Sequence, residues 1–347
     1  MTTTSEKPGA GRAADAYQQM NTMVTSHWTA QVVRAAVDLS LADHLAEGGL
    51  TADELSRRED SVRGSTFRLL RACVVLGLLT ADNDGRFYST PLLETLRKDS
   101  PGSMRGLALA TTLPAQWLAW NEFTASVRTG RTQAAAALGA DFFDYLKQHS
   151  LQARDFSDGM AATTSLWTSD AANVIDTNGA KVAVDVGGAN GSLLHLLLDA
   201  NPNLRGVVFD LPHVLGEAAI EIARRGHSDR ADVIGGDFFV AVPPADLYLL
   251  KMILHDWDDD RCVTILENCR KAMTPDGRIA IVEMIVGETS NPGPAALMDM
   301  NMLALVPGQE RSLGEYDTLL SAAGLRRTAV TSTASGQSVI EAAPDLA

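Results

Sequence analysis

The chain has 347 residues, more than one average domain needs and ample for a buried core, so two domains are expected. Its 43 acidic and 29 basic residues give a formal net charge of −14, which would repel a phosphate backbone or an anionic membrane surface. The three cysteines show no C-x-x-C spacing, so neither a disulfide framework nor a cysteine zinc site is predicted. The first twenty residues lack the apolar core of a signal peptide and no apolar run is long enough to cross a bilayer, so we expect a cytoplasmic protein without nucleic-acid or membrane partners.

The N-terminal part has the pattern of a helical module. Residues 1–14 are polar, rich in Thr, Gly and Ala, and are expected to form a loose terminus. From Asp15 to Glu47 the apolar residues recur at steps of three and four, which is typical of an amphipathic helix. The glycine pair at 48–49 is expected to end this helix.

A second helix and a hairpin follow. Thr51 can cap the helix that begins after it, and Glu54 stands three residues on, as a capping box requires. A further helical segment leads to two short strand-like pieces around the turn at 83–85. Helix, helix and hairpin are typical of a winged helix, which we assign to a domain at residues 15–100.

A winged helix raises the alternative of DNA binding. Arg63, Arg68 and Arg71 would then form the basic face of a recognition helix. Three arginines are also what a solvated helix face ordinarily carries, and the acidic chain around them opposes a polyanion. A dimerisation or scaffold module is therefore favoured.

The rest of the chain divides into a helical and an α/β part. Residues 101–177 look mostly helical and carry much of the aromatic content, which suits either a core or a pocket for a flat apolar molecule. In residues 178–347 short apolar strands alternate with helical patterns, which predicts a doubly wound, Rossmann-like α/β sheet covered on both faces. The last two strand-like pieces, GLRRTAV and QSVIEA, are joined by so short a link that they should pair antiparallel.

A glycine-rich turn follows the first of these strands, in the stretch DVGGANG that begins at Asp185. The dinucleotide fingerprint G-x-G-x-x-G would need a glycine at position 186, where valine stands, so that fingerprint is broken. An acid at the end of the strand would repel a pyrophosphate but not a cationic or neutral ligand. The turn is therefore predicted to hold a positive or neutral ligand.

Two more acids end the next two strands. Asp210 stands roughly 20 residues past Gly191, where a carboxylate accepts hydrogen bonds from ribose hydroxyls. Asp237 follows the third strand, with Phe238 beside it as a platform for adenine. One such acid often only caps a helix, but three at successive strand ends favour a site for a ligand that carries ribose and adenine.

Five motifs occur in the order found in one known family: DVGGANG, FDLPHV, GGDFF, LLKMILHDWDDDRC and GQER. In these motifs the chain resembles the class I S-adenosylmethionine-dependent methyltransferases, and within them the dimeric small-molecule O-methyltransferases typified by the plant caffeic acid enzyme and by bacterial natural-product tailoring enzymes. The resemblance covers nearly the whole chain. It implies a homodimer formed through the N-terminal domain, S-adenosyl-L-methionine as cofactor with S-adenosyl-L-homocysteine as its product, and no metal.

The resemblance also assigns residues to the site. Those that match the family's cofactor contacts are Asp185, Gly187, Asp210, Leu211, Asp237, Phe238 and Lys251. Those that match its acceptor pocket, where methionines would equally serve as core, are Phe156, Met160, Met252, Asp256, Met298, Asp299, Asn301 and Met302. The family's turn carries a glycine where this chain has Ala189, and an alanine is tolerable there if its φ stays negative.

Methyl transfer to oxygen defines the chemistry that the protein must supply. The donor methyl is already activated on a sulfonium, so the protein has to align the acceptor and remove its proton. A phenol has a pKa of about 10 and is mostly neutral at pH 7, so a base with a pKa of roughly 6 to 7 beside the hydroxyl is useful. Histidine suits this requirement.

His255 is the candidate for that base. It stands just past a buried strand, at the ligand-binding edge, where it would alternatively be a helix cap or a satisfied polar contact. The resemblance implies that it is the general base, supported by Glu283 and Glu310, because a carboxylate on the far ring nitrogen fixes the tautomer. The acids at 256 and 258–260 look like metal ligands but are more simply the acidic start of a helix.

The predicted function is methylation of a hydroxyl group on an aromatic secondary metabolite. The alternative is a relative that binds the cofactor but catalyses a hydroxylation, a decarboxylation or a pericyclic step, and the intact base and acids argue against it. A third alternative is a winged-helix regulator, which the acidic balance opposes.

Overall fold

The computed structural model describes residues 8–100 and 102–345. The chain forms two compact units. The first runs through Leu113 and includes Ser150–Thr163, and the second consists of Pro114–His149 and the chain from Thr164 onward. The domain boundaries at 100 and 177 stay predictions.

The first unit begins with a long helix. Its elements are α1 (Pro8–Asp38), α2 (Leu41–His44), β1 (Leu50–Thr51), α3 (Ala52–Arg58), α4 (Arg63–Val75), β2 (Leu79–Ala81), β3 (Arg86–Ser89), α5 (Pro91–Glu94) and α6 (Arg105–Thr111). The loose terminus predicted for residues 1–14 is wrong for 8–14, since α1 already begins at Pro8, and residues 1–7 lie outside the described part. Proline suits a first helical position because its missing N–H has no partner there anyway, and the alanines that follow favour helix.

The predicted helix, helix and hairpin order is confirmed in this unit. The capping box is present, because the Glu54 N–H donates to Thr51 Oγ1 at 3.2 Å and the Thr51 N–H donates to Glu54 Oε2 at 2.7 Å. Strands β2 and β3 pair antiparallel, and β1 adds to the other side of β3. The long helical segment breaks earlier than the glycine pair, at Ser40, whose φ is 45°.

Helices fill the middle of the chain. They are α7 (Pro114–Asn121), α8 (Phe123–Thr129), α9 (Ala134–Leu138), α10 (Phe142–Gln148) and α11 (Ser150–Val174). The helical character predicted for this stretch is confirmed.

The second unit contains a seven-stranded sheet in the order β6-β5-β4-β7-β8-β10-β9. The sequence there runs through β4 (Val182–Val186), α12 (Ser192–Ala200), β5 (Arg205–Asp210), α13 (Ala218–Arg224), β6 (Ala231–Gly235), β7 (Ala245–Lys251), α14 (Asp259–Ala272), β8 (Met273–Glu283), α15 (Ala295–Leu305), α16 (Leu313–Ala322), β9 (Leu325–Ser332) and β10 (Ser338–Pro344). The first five strands are parallel, and β10 pairs antiparallel with both β8 and β9. The predicted doubly wound α/β sheet with an antiparallel C-terminal hairpin is therefore confirmed.

Both faces of this sheet are buried. On β7, Tyr248 and Leu250 belong to one apolar core, and Leu247 and Leu249 belong to the core on the opposite face. Such alternation follows from the two-residue period of a strand, and it explains why β7 is apolar throughout.

The connection order places a ligand site at one edge of the sheet. Strands β5 and β6 lie on one side of β4, and β7 and β8 lie on its other side. The direction in which successive strands are added to the sheet therefore reverses at β4. In open α/β sheets, ligands bind beyond the carboxyl ends of the strands at such a switch point. Asp185, Asp210, Lys251 and Glu283 all lie at or next to these ends. In the ranges that the structure describes, no helix is both long enough and apolar enough to cross a membrane.

Candidate active site

The turn after β4 is built closely around its glycines. Gly187 and Gly191 have φ values of 69° and 76°, a region that favours glycine. A Cβ at Gly187 would collide with the Ile253 side chain, and one at Gly191 would lie 2.6 Å from Val208 Cγ2. The bare backbone therefore forms a cradle that a side chain would fill, which fits a ligand that approaches the main chain.

Ala189 has a φ of 48°, so the negative φ under which an alanine would be tolerable at this position is not found. The turn imposes this conformation, because the Gly191 N–H closes it onto Gly188 O at 2.7 Å and the Ala189 N–H donates to Asp210 Oδ2 at 3.0 Å. An alanine in the left-handed region costs about 1 kcal/mol.

Asp210 lies between the turn and the end of β5. Its Oδ2 accepts the Ala189 N–H, and its Oδ1 accepts the Leu211 N–H at 2.7 Å. Burial raises the pKa of Asp210, and these two backbone bonds act in the opposite direction. Each carboxylate oxygen keeps a further lone pair, so the side chain remains able to accept ligand hydroxyls.

Asp185 and Lys251 bring opposite charges to neighbouring strands. Burial raises the pKa of Asp185 to about 6, although the charge of Lys251 lowers it. Burial likewise lowers the pKa of Lys251, while Asp185 and Glu283 raise it. A positive ligand next to Asp185 would favour its ionised form.

Asp237 and Phe238 follow β6. Asp237 is exposed, and its Oδ1 accepts the Phe239 N–H at 2.8 Å. Phe238 meets the rings of Phe239 and Trp257 edge to face, with centroids at 4.8 and 6.1 Å. Its Cε1 also lies 3.7 Å from the position that a Cβ of Gly187 would take, so this aromatic ring borders the glycine turn.

His255 lies on a short 3₁₀ turn, Leu254–Asp256, directly after β7. Its ring is buried, and Nδ1 lies 2.7 Å from Oε1 of Glu310. Glu283, the last residue of β8, has Oε2 at 3.8 Å from the same nitrogen. The structure thus brings together the three residues that the sequence proposed as base and supporting acids.

The two glutamates have different tasks. Oε1 of Glu283 accepts the backbone N–H groups of Ile253 and Leu254, both at 3.0 Å, and that of His255 at 3.4 Å. Of these two glutamates, Glu310 makes the hydrogen bond to the ring. Glu283 therefore fixes the backbone of the turn, and Glu310 fixes the imidazole.

Carboxylates dominate the electrostatics of this cluster. Burial disfavours a charged His255, but Glu283, Asp256 and Glu310 together outweigh burial and raise its pKa to about 10. Burial and the neighbouring charges of Glu310 and Asp256 raise the pKa of Glu283 to about 7, although His255 opposes them. The pKa of His255 is thus well above the roughly 6 to 7 that suits a base at neutral pH.

The acidic run after His255 serves the next helix. Asp258 caps α14 by accepting the Arg261 N–H at 3.0 Å, so the predicted acidic helix start is confirmed. Within the described residues, the one group with the spacing of a metal site is His255, Glu283 and Glu310, whose ligand atoms lie within 4.8 Å of one another. In that group His255 Nδ1 is already hydrogen-bonded to Glu310 Oε1.

Several residues matched to the acceptor pocket have contacts that the sequence did not reveal. Met252 has a φ of 55°, and its sulfur accepts a hydrogen bond from Gln337 Nε2 at 3.1 Å. Asp299 Oδ1 accepts the Glu310 N–H at 3.0 Å, and Asn301 Oδ1 accepts the Trp120 indole N–H at 3.0 Å. Contacts with an acceptor remain predictions for these residues, as they do for Phe156 and Met160 on α11 and for Met298 and Met302 on α15.

Sequence reasoning missed Arg311. This side chain is fully buried and bonds to the segments that carry both His255 and Glu310. An arginine in a polar loop is ordinarily taken as exposed, so the sequence gives no sign that this one is buried. Its one sequence signal is its position next to Glu310.

Comparisons with known proteins agree with this geometry. The O-methyltransferase domain model matches residues 120–326, and the O-methyltransferase dimerisation domain model matches residues 22–99. The chain is 36% identical to the phenazine O-methyltransferase PhzM of Lysobacter antibioticus over 93% of this chain and 94% of that protein. It is 35% identical to the mitomycin biosynthesis 6-O-methyltransferase of Streptomyces lavendulae, over 93% of each chain.

Solved structures give the same result. The crystal structure of LaPhzM superposes with a TM-score of 0.90 at 35% identity, covering 95% of this chain and 99% of that one. The O-methyltransferase NcsB1 from neocarzinostatin biosynthesis, solved with S-adenosyl-L-homocysteine and 1,4-dihydroxy-2-naphthoic acid, has a TM-score of 0.79 at 34% identity, covering 91% and 96% of the two chains.

The sheet order and the matches to solved methyltransferases define a class I methyltransferase domain, a class that uses S-adenosylmethionine. With both family models matched along its length, the chain belongs to the O-methyltransferase family and is an S-adenosylmethionine-dependent O-methyltransferase with an N-terminal dimerisation domain.

Proposed function

We propose that this enzyme methylates a phenolic hydroxyl of an aromatic metabolite, with His255 as the general base. The observation that carries the proposal is the 2.7 Å contact between His255 Nδ1 and Glu310 Oε1. An ionised carboxylate only accepts hydrogen bonds, so it selects the tautomer with a proton on Nδ1. The Nε2 lone pair is then the one available for the acceptor proton.

The residues at the strand ends suit the cofactor. Bound S-adenosylmethionine supplies a methyl group on a positively charged sulfur, which is open to displacement by oxygen. Asp210 would accept hydrogen bonds from the ribose hydroxyls, and Phe238 would offer a face to adenine. Asp185, whose ionised form a positive ligand favours, would serve the cationic part.

His255 moves one proton in this proposal. Its Nε2 takes the hydroxyl proton as the acceptor oxygen takes the methyl group, so negative charge does not accumulate on oxygen. The imidazolium formed is stabilised by Glu310 at 2.7 Å and by Glu283 at 3.8 Å. Loss of that proton to solvent restores the base.

His255 works as a base only when it is neutral. The surrounding carboxylates hold its pKa at about 10, against the effect of burial, in the protein alone. A positive charge nearby disfavours a protonated imidazole, so the cationic cofactor should lower this pKa. Binding of the cofactor would therefore prepare the base for the step that follows.

A set of phenolic acceptors tests the proposed class of reaction. The name of one relative, 3-amino-4-hydroxybenzoate 4-O-methyltransferase of Streptomyces cremeus, points to a ring with a hydroxyl, an amine and a carboxylate. We would incubate this compound, and a panel of naphthols and hydroxyphenazines, with methyl-labelled S-adenosylmethionine. Label on phenolic oxygen is expected. Cofactor binding without label on any phenol, or with label on nitrogen or carboxylate, would contradict the proposal.

We also infer that the N-terminal unit pairs two copies of the chain and does not bind nucleic acid. Four large residues with substantial exposure, Tyr17, Met20, Val24 and Trp28, are spaced three and four apart on α1. They form one apolar stripe, which we call the α1 stripe. An exposed apolar stripe of this kind favours association with another apolar surface, whereas DNA would require a basic one.

A further inference from the structure

Arg311 has no exposed surface, although it carries a full positive charge. Its guanidinium donates to three backbone carbonyls: Leu254 O at 3.0 Å, Trp257 O at 2.9 Å and Gln309 O at 3.2 Å. Its Nη2 and Nε also donate to Asp259 Oδ1, at 2.7 and 3.0 Å. A buried charge is costly unless it is fully paired, and here the partners satisfy the whole fork.

These partners belong to the two halves of the catalytic pair. Leu254 begins the turn that carries His255, and Trp257 directly follows it. Gln309 directly precedes Glu310, the residue that binds the imidazole. The rigid, planar guanidinium of Arg311 therefore connects the backbone segment that carries His255 to the segment that carries Glu310.

The two segments are in direct contact. A Cβ on Gly308 would collide with the carbonyl oxygen of His255 and with the backbone of Asp256, so the loop lies closely against the turn. The Glu310 N–H is held from its other side by Asp299 Oδ1 at 3.0 Å. The separation between turn and loop sets the distance between ring and carboxylate, and Arg311 spans that separation.

We propose that Arg311 is a positioning residue that holds the His255 turn and the Glu310 loop at the separation their ring-to-carboxylate hydrogen bond requires. The inference rests on the proposed role of His255 as the base. A lysine would keep the positive charge, but its three donors diverge from one point and cannot reproduce the planar fork. Arg311→Lys therefore separates the bridging geometry from the charge.

Titration of the His255 ring reports this geometry directly. Burial lowers the pKa of His255, whereas the hydrogen bond that its Nδ1 donates to Glu310 is among the contacts that raise it. Loosening that bond should therefore lower the pKa. A general loss of stability would have no such specific effect.

The experiment is a pH titration of the histidine ring signals by NMR in the full-length protein, with the His255 signal assigned through His255→Gln. Glu310→Gln gives the reference shift. We expect Arg311→Lys to move the pKa of His255 downward, in the same direction as Glu310→Gln, and to lower kcat about 10- to 100-fold, as misplacement by an ångström does. The matched control is Arg327→Lys, which changes an arginine on the edge strand β9 that pairs with Asp317 on α16, and it should leave the titration unchanged.

A second pair of variants covers the case in which Arg311→Lys does not fold. Asp259→Ser removes the carboxylate that orients the guanidinium, and Asp260→Ser removes the same charge one residue further along α14. We expect Asp259→Ser to shift the His255 titration further than Asp260→Ser does. Equal shifts in this pair, or a folded Arg311→Lys protein with the wild-type titration, would overturn the inference. Methyl transfer retained in His255→Gln would instead contradict the proposed function, since the NMR titration does not depend on turnover.

Discussion

At the scale of single residues, the site depends on how two glutamates divide their work. Oε1 of Glu283 accepts three successive backbone N–H groups, at Ile253, Leu254 and His255, and Glu310 binds the imidazole. The first contact shapes the turn, and the second orients the base. Their combined charge also stabilises a protonated ring.

Glu283→Gln and Glu283→Ala should separate the effect of the Glu283 charge on His255 from the effect of Glu283 on the backbone of the turn. Glutamine keeps an accepting oxygen but loses the charge, and that charge raises the pKa of His255 against the effect of burial. The base is inactive when protonated, so a lower pKa should move the acid limb of the kcat/KM profile to lower pH. Alanine also leaves the backbone N–H groups unpaired and should reduce the free energy of unfolding by about 1 to 3 kcal/mol. pH–rate profiles and denaturant titrations check both, and an unmoved acid limb in Glu283→Gln would refute the electrostatic assignment.

Ala189→Gly should stabilise the protein. The φ of 48° costs alanine about 1 kcal/mol, whereas glycine adopts it freely, and part of this gain is offset by the greater entropy of glycine in the unfolded chain. We expect a net gain of roughly 0.5 kcal/mol in the free energy of unfolding. Ala223→Gly on the exposed face of α13 is the control and should lose stability, because its backbone is helical. A loss of stability at position 189 as well would argue against the left-handed turn.

At the scale of elements, the sequence pattern predicted the types of structure well and missed contacts that are not local. Short continuous apolar runs identified the strands, and Thr51 with Glu54 identified a helix start, because both signals lie within a few neighbouring residues. The positive φ of Ala189 and the burial of Arg311 depend on groups far along the chain, namely Asp210 and the His255 turn. The prediction of a loose terminus was wrong for residues 8–14 because Pro8 and the alanines after it favour helix.

The α1 stripe provides the test at this scale. Trp28 is 63% exposed in the single chain, and we expect Trp28→Glu to convert the pair into single chains, because a charge in an apolar interface must lose its water. Ser26→Glu is the matched control, since Ser26 is exposed on the opposite side of the same helix. Light scattering coupled to size exclusion measures the mass. A wild-type protein with the mass of one chain, or a Trp28→Glu protein that stays paired, would contradict the proposed dimer.

At the scale of the whole molecule, the order of the strands explains why so many polar groups meet at one place. Parallel strands β4, β5, β7 and β8 end at the same edge, and each contributes a charged residue there. The motifs made this edge predictable as a cofactor site. The residues assigned to an acceptor pocket stay predictions, and contacts such as that of Trp120 with Asn301 were not predictable because they join residues far apart in the chain.

Binding of S-adenosylhomocysteine should stabilise the molecule as a whole. A ligand at 100 times its Kd adds about 2.7 kcal/mol to the folded state, which thermal unfolding detects as a higher Tm. We expect the rise in the wild type and in His255→Gln, and a much smaller rise in Asp210→Ala, because Asp210 is the proposed partner of the ribose. An equal rise in Asp210→Ala would place the ribose elsewhere.

The most direct test of the central claim compares wild type with His255→Gln in single-turnover methyl transfer to an accepted phenol, with S-adenosylhomocysteine affinity measured on both proteins. The account predicts a loss of transfer of about 100- to 10,000-fold, the range for a general base, with cofactor affinity nearly unchanged. Transfer at the wild-type rate in His255→Gln would show that another group removes the acceptor proton, and the role assigned to the His255–Glu310 pair would be wrong.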